Sequence, residues 1–521
     1  MSLNTEKFQQ FATQEGLNQK PLIQLPGNDR PIPDFASELG RILAPHNFYD
    51  RAGVCSTVSR QDLLEELVVV QPQVLRTALE DFCIPFARLK TTRGELVSFN
   101  KTISLDHIAA TVVCPQFLRS MPPLRAFNAA QLPIRRPNGQ IELLKPGYDK
   151  ASSILTSARA LSYKQNTSTK AAVRFLKRLL REVCFHPLDK ERGSAVVLAL
   201  LLTLYCEHLF SPNTLRPGFL FSANAEGAGK TTLGHLAVIT HLGVPSLTSM
   251  PEDNQELDKK ICAAALSGKT VLFFDNTKGH LDSGALEAYM TSPIIEGRIL
   301  GSSRYFSVPN LLTFIFTGNG ATISPDLRRR LAIVELFLPE AKAEEHVFRH
   351  SMNLEDIILK RPLILSALWA LVKAWSDHGS PPPAKSNMFG YRQWSQVVLG
   401  ILEYHDWSDF KPMPEKLEHS GDRETLAMHS LLSLMPEADP YTFEQIVNEA
   451  RDNDLFDWIL AGQNSDLKPD ARSSFGKLLK RYDQRLFVIK DDNDVRRSFR
   501  FVVTQKTVKS DSRRFTKILI R

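Results

Sequence analysis

Cysteine is scarce. Six occur in 521 residues, at Cys55, Cys83, Cys114, Cys184, Cys206 and Cys262, and none belongs to a CxxC or CxxH pattern. This excludes a disulfide scaffold and a structural zinc site, and suits a reducing compartment. Each cysteine reads as a small core hydrophobe. Long apolar runs are also missing. The longest, Ala195 to Tyr205 (AVVLALLLTLY), has eleven residues, whereas a bilayer span needs about twenty. The opening residues MSLNTEKFQQ lack the basic patch and apolar stretch of a signal peptide. The expectation is a cytoplasmic protein without membrane partners. There is no internal repeat and no low-complexity tract.

What is present is a globular composition, 43% hydrophobic and 23% charged, with a length that predicts about three domains. Lys and Arg number 64 against 57 Asp and Glu, a net charge of +7, which permits a nucleic-acid partner without demanding one. Residues 1–145 read as a mixed α/β N-terminal domain, non-catalytic, for assembly or partner docking. Residues 146–216 read as a helical collar. In residues 217–378, β-branched and aromatic runs alternate with helical segments, the βαβ pattern of a parallel sheet. A hinge and helical linker (379–430) and a basic domain (431–521) complete the chain.

The chemistry begins at Gly218 to Ser222 (GFLFS), a buried strand leading into Asn224-Ala225-Glu226-Gly227-Ala228-Gly229-Lys230-Thr231-Thr232 and then an apolar helix. This is a strand–loop–helix phosphate loop. Gly227 and Gly229 let backbone N–H groups curl around a phosphate, the helix N-terminus adds its positive end, Lys230 reaches the β/γ oxygens and Thr231 ligates Mg²⁺. Asn224 stands where GxxxxGK[ST] has its first glycine, and asparagine tolerates left-handed backbone angles. Two further strands strengthen the assignment. Thr270 to Phe274 ends in Asp275-Asn276, the Walker B position from which a carboxylate holds Mg²⁺. Leu311 to Phe316 ends in Thr317-Gly318-Asn319, placing Asn319 where an amide orients water or senses the γ-phosphate. Next comes Asp326-Leu327-Arg328-Arg329-Arg330. In a ring ATPase such arginines reach the nucleotide of the neighbouring subunit; alternatively they pair locally with Asp326 and Glu335.

The order of phosphate loop, FFDN, TGN and RRR resembles the superfamily 3 helicases of the AAA+ class. More closely, PGYD (Pro146 to Asp149), FFDNTKG (Phe273 to Gly279), GRILGSSR (Gly297 to Arg304) and FTGNGATISPDLRRR (Phe316 to Arg330) are similar to the replicative helicase part of phage, plasmid and genomic-island primase-helicases. The likeness runs from about Pro122 to Asp409. It implies an α/β AAA+ P-loop NTPase core and a hexameric ring that uses ATP and Mg²⁺ to move along single-stranded DNA during replication of a mobile element. It implies that Lys230 and Thr231 bind nucleotide, Asp275 holds Mg²⁺, Asn319 is the first sensor and Arg329 or Arg330 is the arginine finger. It also places a pore hairpin between Glu296 and Pro309, where Arg298 and Arg304 either grip DNA phosphates or are merely solvated. Asn276 departs from the pattern, since many AAA+ proteins carry a glutamate there as general base and an amide cannot take a proton. Either Asp275 or another carboxylate polarises the water, or hydrolysis is slow. No primase site is identified in residues 1–145, so a separate primase or initiator is the expected partner.

From Arg472 to Arg521 there are 15 Lys and Arg against 5 Asp and no Glu, a balance of +10 that leaves −3 for residues 1–471. The helical run SSFGKLLKRY followed by SFRFVV and RFTKILIR predicts a winged-helix-like end that contacts duplex origin DNA, with Lys480, Arg481, Arg497 and Arg500 as phosphate-binding candidates. The expected function is an ATP-dependent, ring-forming DNA helicase. The alternatives are a DNA-dependent ATPase that remodels or loads without unwinding, and a nucleotide-binding scaffold.

Overall fold

Val271 to Phe274, Phe314 to Phe316 and Leu331 to Val334 are buried almost without interruption, as strands covered on both faces must be. They belong to a parallel sheet at the centre of the larger of two units, residues 1–414 and 415–521. The computed structural model describes residues 2–3, 20–61, 64–91, 94–99, 101–181, 183–185, 189–211, 213–223, 227–251, 253–277, 280–299, 305–319, 322–337, 352–407, 409–413, 423–460, 469–483, 486–490, 496–505 and 513–520.

The elements that position the site are, in chain order, strand β1 (Ala126–Ala130), helix α1 (Lys190–Tyr205), strand β2 (Gly218–Ala223), helix α2 (Lys230–Leu242), strand β3 (Thr248–Ser249), helix α3 (Asn254–Leu266), strand β4 (Val271–Thr277), strand β5 (Thr313–Asn319), strand β6 (Leu331–Leu336) and helix α4 (Leu354–Asp377). The sheet order is β3-β4-β5-β2-β6, all parallel. β5 therefore lies between β2 and β4, pairing Ala223 with Asn319 and Phe274 with Phe316. Because every strand runs the same way, the ends of β2, β4 and β5 open on one edge, where α/β sheets bind ligands.

The apolar run in α1 is buried on all sides, from Ala195 through Tyr205. Its one polar interior residue, Thr203, accepts a hydrogen bond from Trp394 Nε1 at 2.8 Å and donates to the Ala199 carbonyl. Burial of each such Leu or Val stabilises the fold by about 1.5–3 kcal/mol. α2 lies so close to β4 that a Cβ on Gly234 would stand 2.2 Å from Phe273 Cζ.

Residues 20–121 have their own core, built around Phe35, Leu39, Leu75, Leu79 and Phe117, with short mixed and antiparallel strands. Residues 146–216, expected to be helical, open instead with strands Gly147–Asp149 and Ile154–Leu161 before the helices begin. The cause is tertiary. Ile154–Leu161 pairs in parallel with β1, and Gly147 adopts φ +106, a left-handed turn no helix accommodates. Five cysteines are buried and Cys184 is half-buried, all as free thiols. Burial pushes Cys55 up to about 12 and Cys83 up to about 11.

The smaller unit has helices Arg423–Leu434, Phe443–Asp452, Asp457–Leu460 and Pro469–Arg481. They pack with an antiparallel sheet in the order Tyr441–Thr442, Arg513–Ile520, Arg496–Gln505, Leu486–Lys490. Met428, Leu431, Ile446, Phe475 and Phe501 form its core. Among the described residues no helix is long and apolar enough to cross a membrane.

In the PGYD segment, Asp149 accepts two hydrogen bonds from Arg136, at 2.8 and 3.1 Å. That pairing holds its carboxyl down at about 2. A depressed folded pKa stabilises above the unfolded value, near 3.9, and the contribution disappears as pH falls towards 2. Asp149→Asn is expected to lower the unfolding free energy by about 1 kcal/mol at pH 7. Urea melts should show that the difference narrows below about pH 4 and closes as pH falls towards 2.

Candidate functional site

β2 ends at Ala223 and α2 begins at Lys230, with Gly229 at its N-cap in a left-handed conformation (φ +91) and Gly227 also left-handed (φ +77). The first intrahelical bond runs from Leu233 N–H to the Gly229 carbonyl. The N–H groups of Lys230, Thr231 and Thr232 precede it and point outward at the helix's positive end. A Cβ on Gly229 would meet nothing within 4 Å, so its glycine is required by backbone angle and leaves the cradle open. Ala228 is buried, and Lys230, Thr231 and Thr232 are half-buried.

At the adjacent strand end, Asp275 Oδ1 accepts two hydrogen bonds: one from Thr231 Oγ1 at 2.9 Å and one from Thr317 Oγ1 at 2.5 Å. Thr317 Oγ1 in turn accepts the backbone N–H of Asn276 at 2.8 Å. One carboxylate thus ties the first turn of α2 to the ends of β4 and β5. The register of β4 on β5 shifts between Phe274 and Thr277, and Asn276 has φ +54. This is a β-bulge that turns the strand end, with its left-handed residue supplied by asparagine. The residue at the general-base position thus has a backbone reason to be Asn.

Sequence reasoning singled out Asn319 and passed over Thr317. The structure buries Thr317 at 1% exposure and makes it the link between Asp275 and the bulge. The only sequence signal was a polar residue at the last buried turn of a strand, which usually denotes capping. Beneath the site, His235 of α2 stacks edge-on against Phe273. Burial lowers its pKa, partly offset by Asp275.

Hydroxyl and carboxylate oxygens are the hard donors Mg²⁺ prefers. Thr231, by giving its proton to Asp275, keeps its oxygen lone pairs free for a cation. Among the described residues no group of three or more His, Cys, Asp or Glu gathers as a metal cage. A Mg²⁺ bound largely through nucleotide phosphates needs none. The donor set fits.

The remaining candidates lie elsewhere. Asn319 ends β5 beside Ala223, and its side chain lies outside the described residues, as do Asn224 and Arg304. Arg329 is exposed and ion-paired with Asp326, and Arg330 lies 3.8 Å from Glu287. Both precede β6, whose first residue pairs with Gly218. They sit at the opposite sheet edge from the phosphate loop, the length of β2 away, about 17 Å at 3.3 Å per residue. Ile294–Arg298 and Tyr305–Pro309 form an antiparallel hairpin in which Arg298 pairs with Tyr305. Both are exposed, Tyr305 at 77%. In the smaller unit Lys480, Arg497 and Arg500 are exposed, with Arg497 3.8 Å from Glu437. The Arg481 side chain is outside the described residues.

No protein-family model matches the sequence, and no curated protein matches it. Among solved structures, the apo A form of the NrS-1 C-terminal region is 11% identical with a TM-score of 0.37, covering 88% of this chain and 98% of that one. A form of the same region comprising residues 305–718 is 10% identical, TM-score 0.37, over 76% and 77%. A structure described as the SCCmec type IV Cch active helicase is 13% identical, TM-score 0.32, over 87% and 82%.

Thr317→Val keeps the volume but removes one donor to Asp275 and the acceptor for the Asn276 N–H. Losing a hydrogen bond to the Asp275 carboxylate and the acceptor of a part-buried N–H costs about 1–3 kcal/mol. Urea melts are expected to show a loss in that range, and Thr317→Ser is expected to restore most of it.

Proposed function

We propose that the chain is an ATP- and Mg²⁺-dependent DNA helicase with an AAA+ core, working as a ring on single-stranded DNA during replication of a mobile element. The observation that carries this reading is the junction of Thr231, Asp275 and Thr317 at the open edge of a parallel sheet. There Gly227, Ala228 and Gly229 with the α2 N-terminus cradle phosphates, Lys230 neutralises the β/γ oxygens, and Thr231 and Asp275 hold Mg²⁺. The metal supplies charge neutralisation at the transferring phosphoryl group. Asn319 beside the loop orients water. The left-handed backbone at Asn276 accounts for an asparagine at that position and leaves the polarising of water to Asp275 or another carboxylate.

The position of Arg329 and Arg330 about 17 Å from their own phosphate loop means that a finger role requires a neighbouring copy. A hexamer meets that requirement. The Arg298–Tyr305 hairpin suits single-strand contact, since a cation grips phosphate and an exposed aromatic stacks on a base. In the smaller unit, the helix–strand–helix–helix–helix order followed by three strands, with outward Lys480, Arg497 and Arg500, supports a winged-helix-like duplex-binding role.

Forked-DNA unwinding with steady-state ATP hydrolysis tests the reading. Wild type is expected to turn over ATP and separate strands, and Lys230→Ala to lose at least about 100-fold of both. Turnover without strand separation would establish the remodelling alternative, and absence of turnover with DNA present would establish the scaffold. For duplex binding, an Arg497→Glu/Arg500→Glu chain is expected to lose about tenfold in affinity near 0.1 M salt, and to show a log K against log salt slope shallower by about two.

A further inference from the structure

In the larger unit the guanidinium groups of Arg51, buried, and Arg361, half-buried, meet only carbonyl oxygens among the described residues. Arg51, 4% exposed, donates to Leu266 O at 3.2 Å, Ala265 O at 3.0 Å and Arg125 O at 2.6 Å. Arg361 donates to Thr240 O at 3.1 Å, and to His241 O and Ala129 O at 3.3 Å each. Burial lowers both to about 10. A buried cation without a carboxylate is costly, and among the described residues neither has one as a partner. What compensates is the same in both places. Leu266 and Ala265 end α3, and Thr240 and His241 end α2, so each arginine occupies the negative end of a helix and takes up orphaned carbonyls.

Their third partners are also related. Arg125 immediately precedes β1, and Ala129 lies within it. β1 is thereby latched at one end to α3 and at the other to α2. Between the latches, Asn128 Oδ1 meets His208 Nε2 at 2.8 Å, and His208 adjoins Glu207, which also faces His241. His241 closes the path by bonding Thr270 Oγ1, just before β4. Gly243 shows how tight the latch is, since a Cβ there would stand 2.9 Å from Arg361 Nη1. A cavity of about 140 Å³ lined by Leu67, Phe127, Ala129, Leu242, Gly268 and Thr270 adjoins β1.

We propose that Arg51 and Arg361 are positioning residues that couple the nucleotide site to β1, so that residues 126–161 shift with the nucleotide state. This rests on the nucleotide-site reading above. α2 carries the phosphate cradle at one end and the Arg361 latch at the other, about 18 Å apart along a rigid helix. α3 carries the Arg51 latch and passes through four residues into the β4 strand bearing Asp275. Displacement at the phosphates therefore reaches both ends of β1, and β1 hands it to Ile154–Leu161 through their shared ladder. The N-terminal region is in this way a mechanically driven part of the ATPase.

Hydrogen exchange on the full chain, with Mg·ADP against a Mg-bound non-hydrolysable ATP analogue, tests this. Exchange at 126–130 and 154–161 is expected to differ by about threefold or more between the two states in wild type. In Arg361→Ala and Arg51→Ala that difference should vanish, with nucleotide protection of 227–233 retained, KM unchanged and kcat reduced about tenfold. If an alanine variant fails to fold by circular dichroism, Arg361→Lys and Arg51→Lys, which keep charge but lose the fork, should show a reduced difference instead. Protection at 227–233 with identical exchange at 126–130 in both nucleotide states would overturn the coupling alone. Absence of nucleotide protection at 227–233 in wild type would overturn the nucleotide site, and the coupling with it.

Discussion

A single carboxylate oxygen, Oδ1 of Asp275, receives hydroxyl protons from Thr231 on α2 and Thr317 on β5. Hydrogen bonds to an ionised acceptor are about twice as strong as neutral ones, and here two of them converge from separate elements. The first turn of α2 and the ends of β4 and β5 thereby share one fixed point. Without it, the two strand ends would be aligned only by sheet pairing, which specifies register but does not tie them to the start of α2. The bulge at Asn276 completes the arrangement by returning its N–H to Thr317.

That fixed point is useful because the elements behind it are stiff. α1 is buried around its whole circumference, and β2, β4, β5 and β6 are covered on both faces. Such interiors are packed like crystals and transmit displacement rather than absorbing it. At the far edge of the sheet the ends of α2 and α3 are held by Arg361 and Arg51. α2 is therefore constrained at both ends, by Asp275 at its first turn and by Arg361 at its last, and α3 is held by Arg51 at its C-terminal end.

Much of the local geometry of the candidate site was legible in the sequence because its signals are local. A buried strand, a glycine turn and a helix beginning at Lys230 require only nearest-neighbour backbone preferences. The apolar strands ending at Asp275 and Asn319 were legible for the same reason. Thr317 was not, because its role depends on β5 lying between β2 and β4, which no local pattern encodes. Asn276 suggested a missing base until its left-handed backbone showed what asparagine does there. No local pattern marks Arg51 or Arg361, since only tertiary packing makes a guanidinium meet carbonyls more than 100 residues away. The strands at 147–161 escape a helical reading of that region because Ile154–Leu161 is fixed by pairing with β1, which lies upstream of it, and Gly147–Asp149 pairs in turn with Ile154–Leu161.

The sequence by itself determined which residues carry charge, hydroxyl and glycine freedom at each strand end, and it concentrated the basic excess in the last fifty residues. Those properties belong to residue types and short spacings. Tertiary structure decided which groups meet: that Thr231 and Thr317 share Asp275, that Arg329 and Arg330 face away from their own phosphate loop, and that β1 is latched to the ends of both α2 and α3. Strand order and helix docking set these encounters, and both are fixed by burial summed over the whole core rather than by any segment of the chain.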